Sequence, residues 1–216
     1  MSDQFGVSTQ QNLLTGGDGA KLYGWNLLNS ANATIADVNI TNAGLLTLLA
    51  SVTADPNNAT FTVPFVYQNI TGDFDIDTYM AQSNPGTKRY GLICRDPNAS
   101  AGEDWLGLVN ENGGTSYNNT INSVTSQYAA GGTAFAYYRI TRVGSVFTAY
   151  NKINSGDSWS AVGQVITRND FAGTIQVGLY STNDALAGNR TVFDYFEGTN
   201  SGGAASITTT ALASSL

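Results

Sequence analysis

The chain has 216 residues, 16 acidic against 9 basic side chains, a formal net charge of −7, no histidine and a single cysteine, Cys94. That inventory excludes Ser-His-Asp and Cys-His nucleophile systems, His-ligated zinc or iron, intrachain disulfides, zinc ribbons and iron–sulfur clusters. No Lys/Arg cluster is present to neutralise a phosphate backbone, so nucleic acid is not an expected partner, and no apolar run nears the roughly 20 residues of a membrane-inserted helix.

The opening Met-Ser-Asp-Gln-Phe has neither a basic n-region nor an apolar h-region, so no secretory leader is expected from it. Helical periodicity is nearly absent along the chain. Runs rich in Thr, Val, Ile, Tyr and Phe are bounded by Gly, Asn, Asp or Pro, which predicts short strands. Residues 34–40 alternate, with Thr34, Ala36 and Val38 on one face and Ile35, Asp37 and Asn39 on the other. Residues 44–51 are apolar almost throughout, as a strand covered on both faces should be. Strands are predicted next over 59–67, after the turn Asp55-Pro56-Asn57-Asn58, then over 73–81 and, past Asn84-Pro85-Gly86, over 88–95. The remaining strands fall at 104–110, 117–128, 135–142, 145–152, 159–165, 174–180 and 191–197, with Val143-Gly144-Ser145 as a tight hairpin. Strands of this length and spacing predict an all-β, two-sheet antiparallel sandwich over residues 1–198. Residues 199–216 are Ser, Thr, Ala and Gly with few large apolar side chains, and read as a polar arm outside the core, ordered by neighbouring subunits if ordered at all.

Several stretches then follow one another in a recognisable order. Gly72-Asp73-Phe74-Asp75-Ile76-Asp77 precedes Tyr90-Gly91-Leu92-Ile93-Cys94-Arg95-Asp96, of Gly-Leu-x-x-Arg-Asp form. Tyr138 to Tyr150 comes next, then Ser158-Trp159-Ser160, Val177-Gly178-Leu179-Tyr180 and Phe193-Asp194-Tyr195-Phe196. Together with Asp3-Gln4-Phe5, Trp25 and Gly44-Leu45-Leu46-Thr47, this series resembles the concanavalin A-like lectin/glucanase superfamily, in particular its DUF1349-like and laminin G-like modules. The resemblance covers roughly residues 3–198 and implies a jelly roll with one concave face that often binds carbohydrate.

Alternation points to a site. If Phe74 and Ile76 face the core, then Asp73, Asp75, Asp77 and Tyr79 share the opposite face. By the same parity Arg95 stands outward beside inward Cys94, Trp105 beside Leu106, and Arg139 beside Ile140. Asp75, Asp77, Tyr79, Arg95, Trp105 and Arg139 are therefore the candidate glycan-binding residues, because aromatic planes stack on the C–H faces of sugars while carboxylates and guanidinium groups bind hydroxyls. The competing reading is structural: Arg95 and Arg139 neutralise Asp75 and Asp77 across strands, and Trp105, Trp159 and Trp25 fill the core or an interface.

Asp96, Asn98, Glu103 and Asp104 form an oxygen-rich loop that is the candidate calcium site, and Asp73, Asp75 and Asp77 offer carboxylates of the same kind. Residues two apart on a flat strand lie about 7 Å apart, too far to share an ion unaided. Catalysis is not expected: superfamily glucanases carry a Glu-x-Asp-x-x-Glu strand, and the three glutamates here, Glu103, Glu111 and Glu197, do not form one. Cys94 reads as a small buried hydrophobe. The Asn-x-Ser/Thr triplets at Asn32, Asn39, Asn58, Asn69, Asn98, Asn118 and Asn189 are expected from composition alone.

The expectation from the sequence is thus a non-catalytic structural protein of a larger assembly. A bacteriophage capsid decoration or tail protein is preferred, assembled in the host cytoplasm, contacting other copies of itself and other virion proteins, with glycan adhesion as an accompanying role. The alternative is a free bacterial carbohydrate-binding module, cytoplasmic or secreted, and a glycan hydrolase or lyase stands as a remote third reading.

Overall fold

Thr-, Val- and Tyr-rich runs separated by turn residues condense into two antiparallel sheets packed face to face. The computed structural model describes residues 2–3, 5, 10–19, 21–22, 24–51, 56, 60–83, 89–111, 114–131, 136–182 and 190–200. In chain order the strands are β1 (Ser2–Asp3), β2 (Gln11–Asn12), β3 (Lys21–Leu22), β4 (Trp25–Leu28), β5 (Ala33–Val38) and β6 (Leu46–Ala50). They continue with β7 (Phe65–Thr71), β8 (Phe74–Ser83), β9 (Arg89–Arg95), β10 (Trp105–Glu111), β11 (Gly114–Ile121) and β12 (Val124–Gly131). The last are β13 (Tyr137–Val143), β14 (Val146–Lys152), β15 (Ser160–Ala161), β16 (Ile166–Thr167), β17 (Thr174–Ser181) and β18 (Thr191–Asn200). Two short 3-10 turns, Leu13–Gly16 and Ser30–Asn32, interrupt them. Among the described residues no helix is long and apolar enough to cross a membrane.

The larger sheet runs β15-β14-β13-β8-β18-β6-β5-β2, with β1 also on β18 and β16 on β14; the smaller runs β12-β11-β10-β9-β17-β7-β4-β3. The expected β-sandwich is the observed fold. Between the sheets, Ile76, Ile140, Phe147 and Phe193 from the larger sheet meet Leu92, Leu106, Leu108 and Leu179 from the smaller, all fully buried. Each such side chain contributes about 1.5–3 kcal/mol on burial. Trp25 joins this core, edge-on to Phe196 at 5.1 Å and tilted against Phe5 at 5.7 Å. Polar contacts also cross the core: the Tyr138 hydroxyl of the larger sheet lies 3.2 Å from both Asn110 Nδ2 and Thr115 Oγ1 of the smaller.

The two outer faces differ. On the smaller sheet, Phe65, Tyr67, Ile93, Trp105, Val109 and Tyr180 form a second apolar cluster, which the chain itself covers with Phe61 and Val63. Asn29 and Asn32 tie that cover down through their side-chain amides, which donate to the carbonyls of Phe61, Thr62 and Val63 at 2.8–3.0 Å. At one end of the sandwich Arg168, its side chain 1% exposed, clasps the β16–β17 connection to both sheets. Its guanidinium donates to Asp170 at 2.5 Å, Asn119 Oδ1 at 2.6 Å and the Thr120 carbonyl at 3.0 Å, while its backbone N–H donates to Ser145 O at 2.8 Å.

Some predicted elements resolve differently. The run expected as one strand over 117–128 is two, β11 and β12, joined at Asn122 and Ser123, both at positive φ (50° and 65°). Asn tolerates that backbone well, and an Asn-Ser pair is a weaker turn signal than Asn-Gly. The strand expected at 159–165 shrinks to β15, with β16 beyond it. The Gly144-Ser145 hairpin forms as expected, with Gly144 at φ 61° and Val143 opposite Val146. The Asn84-Pro85-Gly86 turn and the arm from 201 onward lie outside the described residues, and β18 itself continues to Asn200, past the strand end expected at 197.

Candidate functional site

The outer face of the larger sheet gathers carboxylates, cations and aromatic rings. Along β8 the inward residues Phe74, Ile76, Thr78 and Met80 are buried, leaving Asp75, Asp77 and Tyr79 half-buried on the outside. Tyr137 and Arg139 do the same on β13, and Tyr150 and Lys152 on β14. Strand β18 would break the pattern, because Phe193 and Phe196, three residues apart, both enter the core. A bulge at Asp194 reconciles them: register shifts there, Tyr195 pairs with Tyr79, and Glu197 pairs with Asp77.

Two rows result, each crossing four strands. One reads Glu197, Asp77, Arg139, Tyr150; the other reads Tyr195, Tyr79, Tyr137, Lys152. Neighbouring strands lie about 4.8 Å apart, so each row spans roughly 14 Å. Arg139 grips Asp75 through both nitrogens, Nε donating to Oδ1 at 2.6 Å and Nη2 to Oδ2, and lies 5.6 Å over the rings of Tyr150 and Trp159. Tyr79 and Tyr137 stack on each other at 4.5 Å, so each ring covers one face of the other. Lys152 Nζ sits 4.7 Å over Trp159 and 4.9 Å over Tyr137.

Electrostatics single out Asp77. Burial pushes its carboxyl above the ordinary carboxylate range and the Glu197 and Asp75 charges push the same way, against the Tyr195 hydroxyl that donates to it and the Arg139 cation. Burial, and the negative charge of Asp77, push the Tyr195 phenol up as well. Two carboxylates facing each other across a strand pair, one held toward its protonated form, can donate and accept a proton on one ligand.

Of the six glycan candidates, Asp75, Asp77, Tyr79 and Arg139 stand together on this face, and Arg95 and Trp105 do not. Parity was right for both, but their strands belong to the other sheet. Arg95 pairs with Glu103 (Nε to Oε2 2.8 Å) and Gln176, and lies 5.3 Å over Phe61. Trp105 is 0% exposed in the covered apolar cluster, its Nε1 donating to the Pro56 carbonyl at 2.9 Å. It is therefore a packing residue with no face to offer a sugar. Tyr137, Tyr150, Lys152, Tyr195 and Glu197 belong to the face and were not singled out in the sequence. For the first three, alternation in the Tyr137–Lys152 hairpin was the available signal; for the last two the bulge hides it.

The calcium candidates are engaged elsewhere. Asp96 Oδ1 accepts from the Asn98 backbone at 2.9 Å, Glu103 is bridged to Arg95, and Asp104 accepts from Asn122 N at 2.6 Å with Arg168 at 3.6 Å. Among the described residues no three Asp, Glu, Cys or His side chains gather as a cation site would require. Cys94, expected as a buried hydrophobe, is fully buried, and burial pushes its thiol far up.

No family model and no curated protein matches the chain. Solved structures do. A xylan β-1,4-xylosidase from Bacillus halodurans C-125 superposes with TM-score 0.66 at 17% identity, over 92% of this chain and 39% of the xylosidase. A functionally unknown protein from Saccharomyces cerevisiae matches with TM-score 0.62 at 14% identity, over 85% of this chain and 100% of its own. LamAcat from Zobellia galactanivorans matches with TM-score 0.55 at 10% identity, over 93% and 96%. Other matches are proteins of glycoside hydrolase family 43, and this chain spans about two fifths of the length of several of them. At these identities the likeness is one of fold. It runs against two expectations: several of these neighbours are glycoside hydrolases, where the sequence led to a non-catalytic virion protein and to no enzyme. The expectation of no enzyme leaned on the missing Glu-x-Asp-x-x-Glu strand, a pattern within one strand that is blind to carboxylates paired across two; the virion expectation leaned on the low-charge composition, the missing leader and the polar C-terminal arm.

Proposed function

We propose that this chain works in glycan hydrolysis, with the outer face of the larger sheet holding the saccharide. The observation that carries this reading is the half-buried array of Asp75, Asp77, Glu197, Arg139, Tyr79 and Trp159 on the outer face of the larger sheet, which the described residues leave without an apolar cover like that of the smaller sheet. The sandwich relatives among glycoside hydrolases support it. Within that class, the order of motifs from Gly72 to Phe196 favours a DUF1349-like or laminin G-like module.

The cross-strand pair favours a role in the chemistry itself. Opposed residues on antiparallel strands hold their Cβ atoms about 5 Å apart. Retaining glycosidases place their two carboxyl groups at about 5–5.5 Å, one donating a proton to the leaving oxygen and the other attacking or stabilising the anomeric carbon. In this reading Asp77, held toward its protonated form, is the acid, and Glu197 is the carboxylate partner.

The test is direct. Purified protein is run through gels containing xylan or xyloglucan and assayed for reducing ends released from both. Retarded migration and sugar release are expected, with release lost and retardation kept in Glu197→Gln and Asp77→Asn. Migration unaffected by any polysaccharide, together with no released sugar, refutes the proposal.

A further inference from the structure

Charge on the saccharide face is segregated by strand. The carboxylates Asp75, Asp77 and Glu197 stand on β8 and β18, and the cations Arg139 and Lys152 on β13 and β14. Arg139 is neutralised by Asp75. Lys152 is not: among the described residues no carboxylate lies within ion-pair distance of it. Its ammonium is nonetheless fixed, donating to the Ser155 carbonyl at 2.7 Å and lying against the rings of Tyr137 and Trp159 at 4.9 and 4.7 Å. Aromatic faces attract a cation but leave its unit charge intact. Holding the head group in place also removes much of the rotamer entropy that a free lysine loses on meeting an anion.

The ammonium ends the tyrosine row, two strands from Asp77, or about 10 Å across the sheet. That is near the Debye length at physiological salt, so an anion at Lys152 is only weakly repelled by the carboxylates at the far end. A ligand spanning the face therefore meets hydroxyl-binding carboxylates at one end and an uncompensated cation at the other. We infer that the face selects an acidic saccharide, in which the carboxylate of a uronic acid unit pairs with Lys152 while neighbouring sugar hydroxyls lie over Tyr79 and Asp77. This deepens the proposed function and rests on the same face holding saccharide.

The probe is a defined oligogalacturonate and its carboxyl-reduced counterpart, each titrated calorimetrically at low and high salt, with a sulfated oligosaccharide as third arm. The intact protein should bind the uronate about tenfold more tightly than the reduced form, and high salt should shrink that ratio. Lys152→Met should erase the preference, the uronate losing about tenfold more affinity than the reduced form; Lys152→Arg should keep it. Equal affinity for uronate and reduced form, or a preference that survives in Lys152→Met, overturns the inference alone. Tighter binding of the sulfated arm overturns the carboxylate assignment. Failure of the intact protein to bind either form, or the neutral polysaccharides above, overturns the inference and the proposed function together.

Discussion

Trp105→Ala separates packing from recognition. The indole is fully buried beneath Phe61 and Val63, touches the cluster of Phe65, Ile93, Val109 and Tyr180, and donates its only N–H to the Pro56 carbonyl. Deleting a buried tryptophan side chain costs about 3–5 kcal/mol, and orphaning the buried carbonyl adds about 1 kcal/mol. In a chain of this size each kcal/mol lowers the melting temperature by about 2–4 °C, so a fall of roughly 10–20 °C is expected. Trp159→Ala, at a half-buried position on the other sheet's outer face, should shift it by only a few degrees, as surface substitutions do. Circular-dichroism melts of the two variants, with gel retardation on the same samples at a temperature where both are folded, give the answer. Trp159→Ala should lose retardation and Trp105→Ala should keep it. If Trp105→Ala melts within about 3 °C of the parent and loses saccharide binding, the placement of Trp105 beneath its cover is wrong.

Three further outcomes are expected. Cys94, buried and with its thiol pushed up, should not react with a thiol-specific chromogenic reagent in the folded protein and should react fully in denaturant. Asp77 has its folded-state value raised, so its favourable contribution is complete below the ordinary carboxylate range and is lost as pH rises through the folded value; Asp77→Asn should therefore raise the melting temperature at pH 7 and leave it unchanged near pH 3. Asp170 is the opposite case: Arg168 holds its carboxyl low, so its contribution is present at neutral pH and lost as pH falls through the lowered value. Arg168→Met should flatten that acid limb and, by leaving Asn119 without its buried donor and Asp104 without its neighbouring cation, cost about 3–5 kcal/mol at pH 7 in a urea titration.

Local alternation carried most of what the sequence disclosed. It placed Phe74 and Ile76 inside and Asp75, Asp77 and Tyr79 outside, and it read the parity of Arg95, Trp105 and Arg139 correctly. Parity does not say which sheet a strand joins. That depends on non-local pairing, here β9 and β10 with β17 and β11, and it moved Arg95 and Trp105 away from the face they were assigned to. Nor does it disclose that a strand's outer face is roofed by the segment carrying Phe61 and Val63, since that segment reads as part of the strand expected over 59–67, which begins only at Phe65. Glu197 was hidden for a third reason, the one-residue slip at Asp194 that reverses the faces of everything after it.

That slip makes the face depend on how β18 pairs as well as on its side chains. Pairing β18 without the slip, with Asp194 in register, would carry Tyr195 and Glu197 into the apolar interior and expel Phe196, whereas deleting Asp194 would keep Phe193 and Phe196 inside and Tyr195 and Glu197 outside. The bulge thus sets which residues face outward, while a one-residue deletion or insertion beyond it, between Tyr195 and Glu197, would exchange inside for outside. Lineages carrying this fold should accordingly tolerate loss of residue 194 together with its bulge, but not a one-residue change in the spacing between Tyr195 and Glu197.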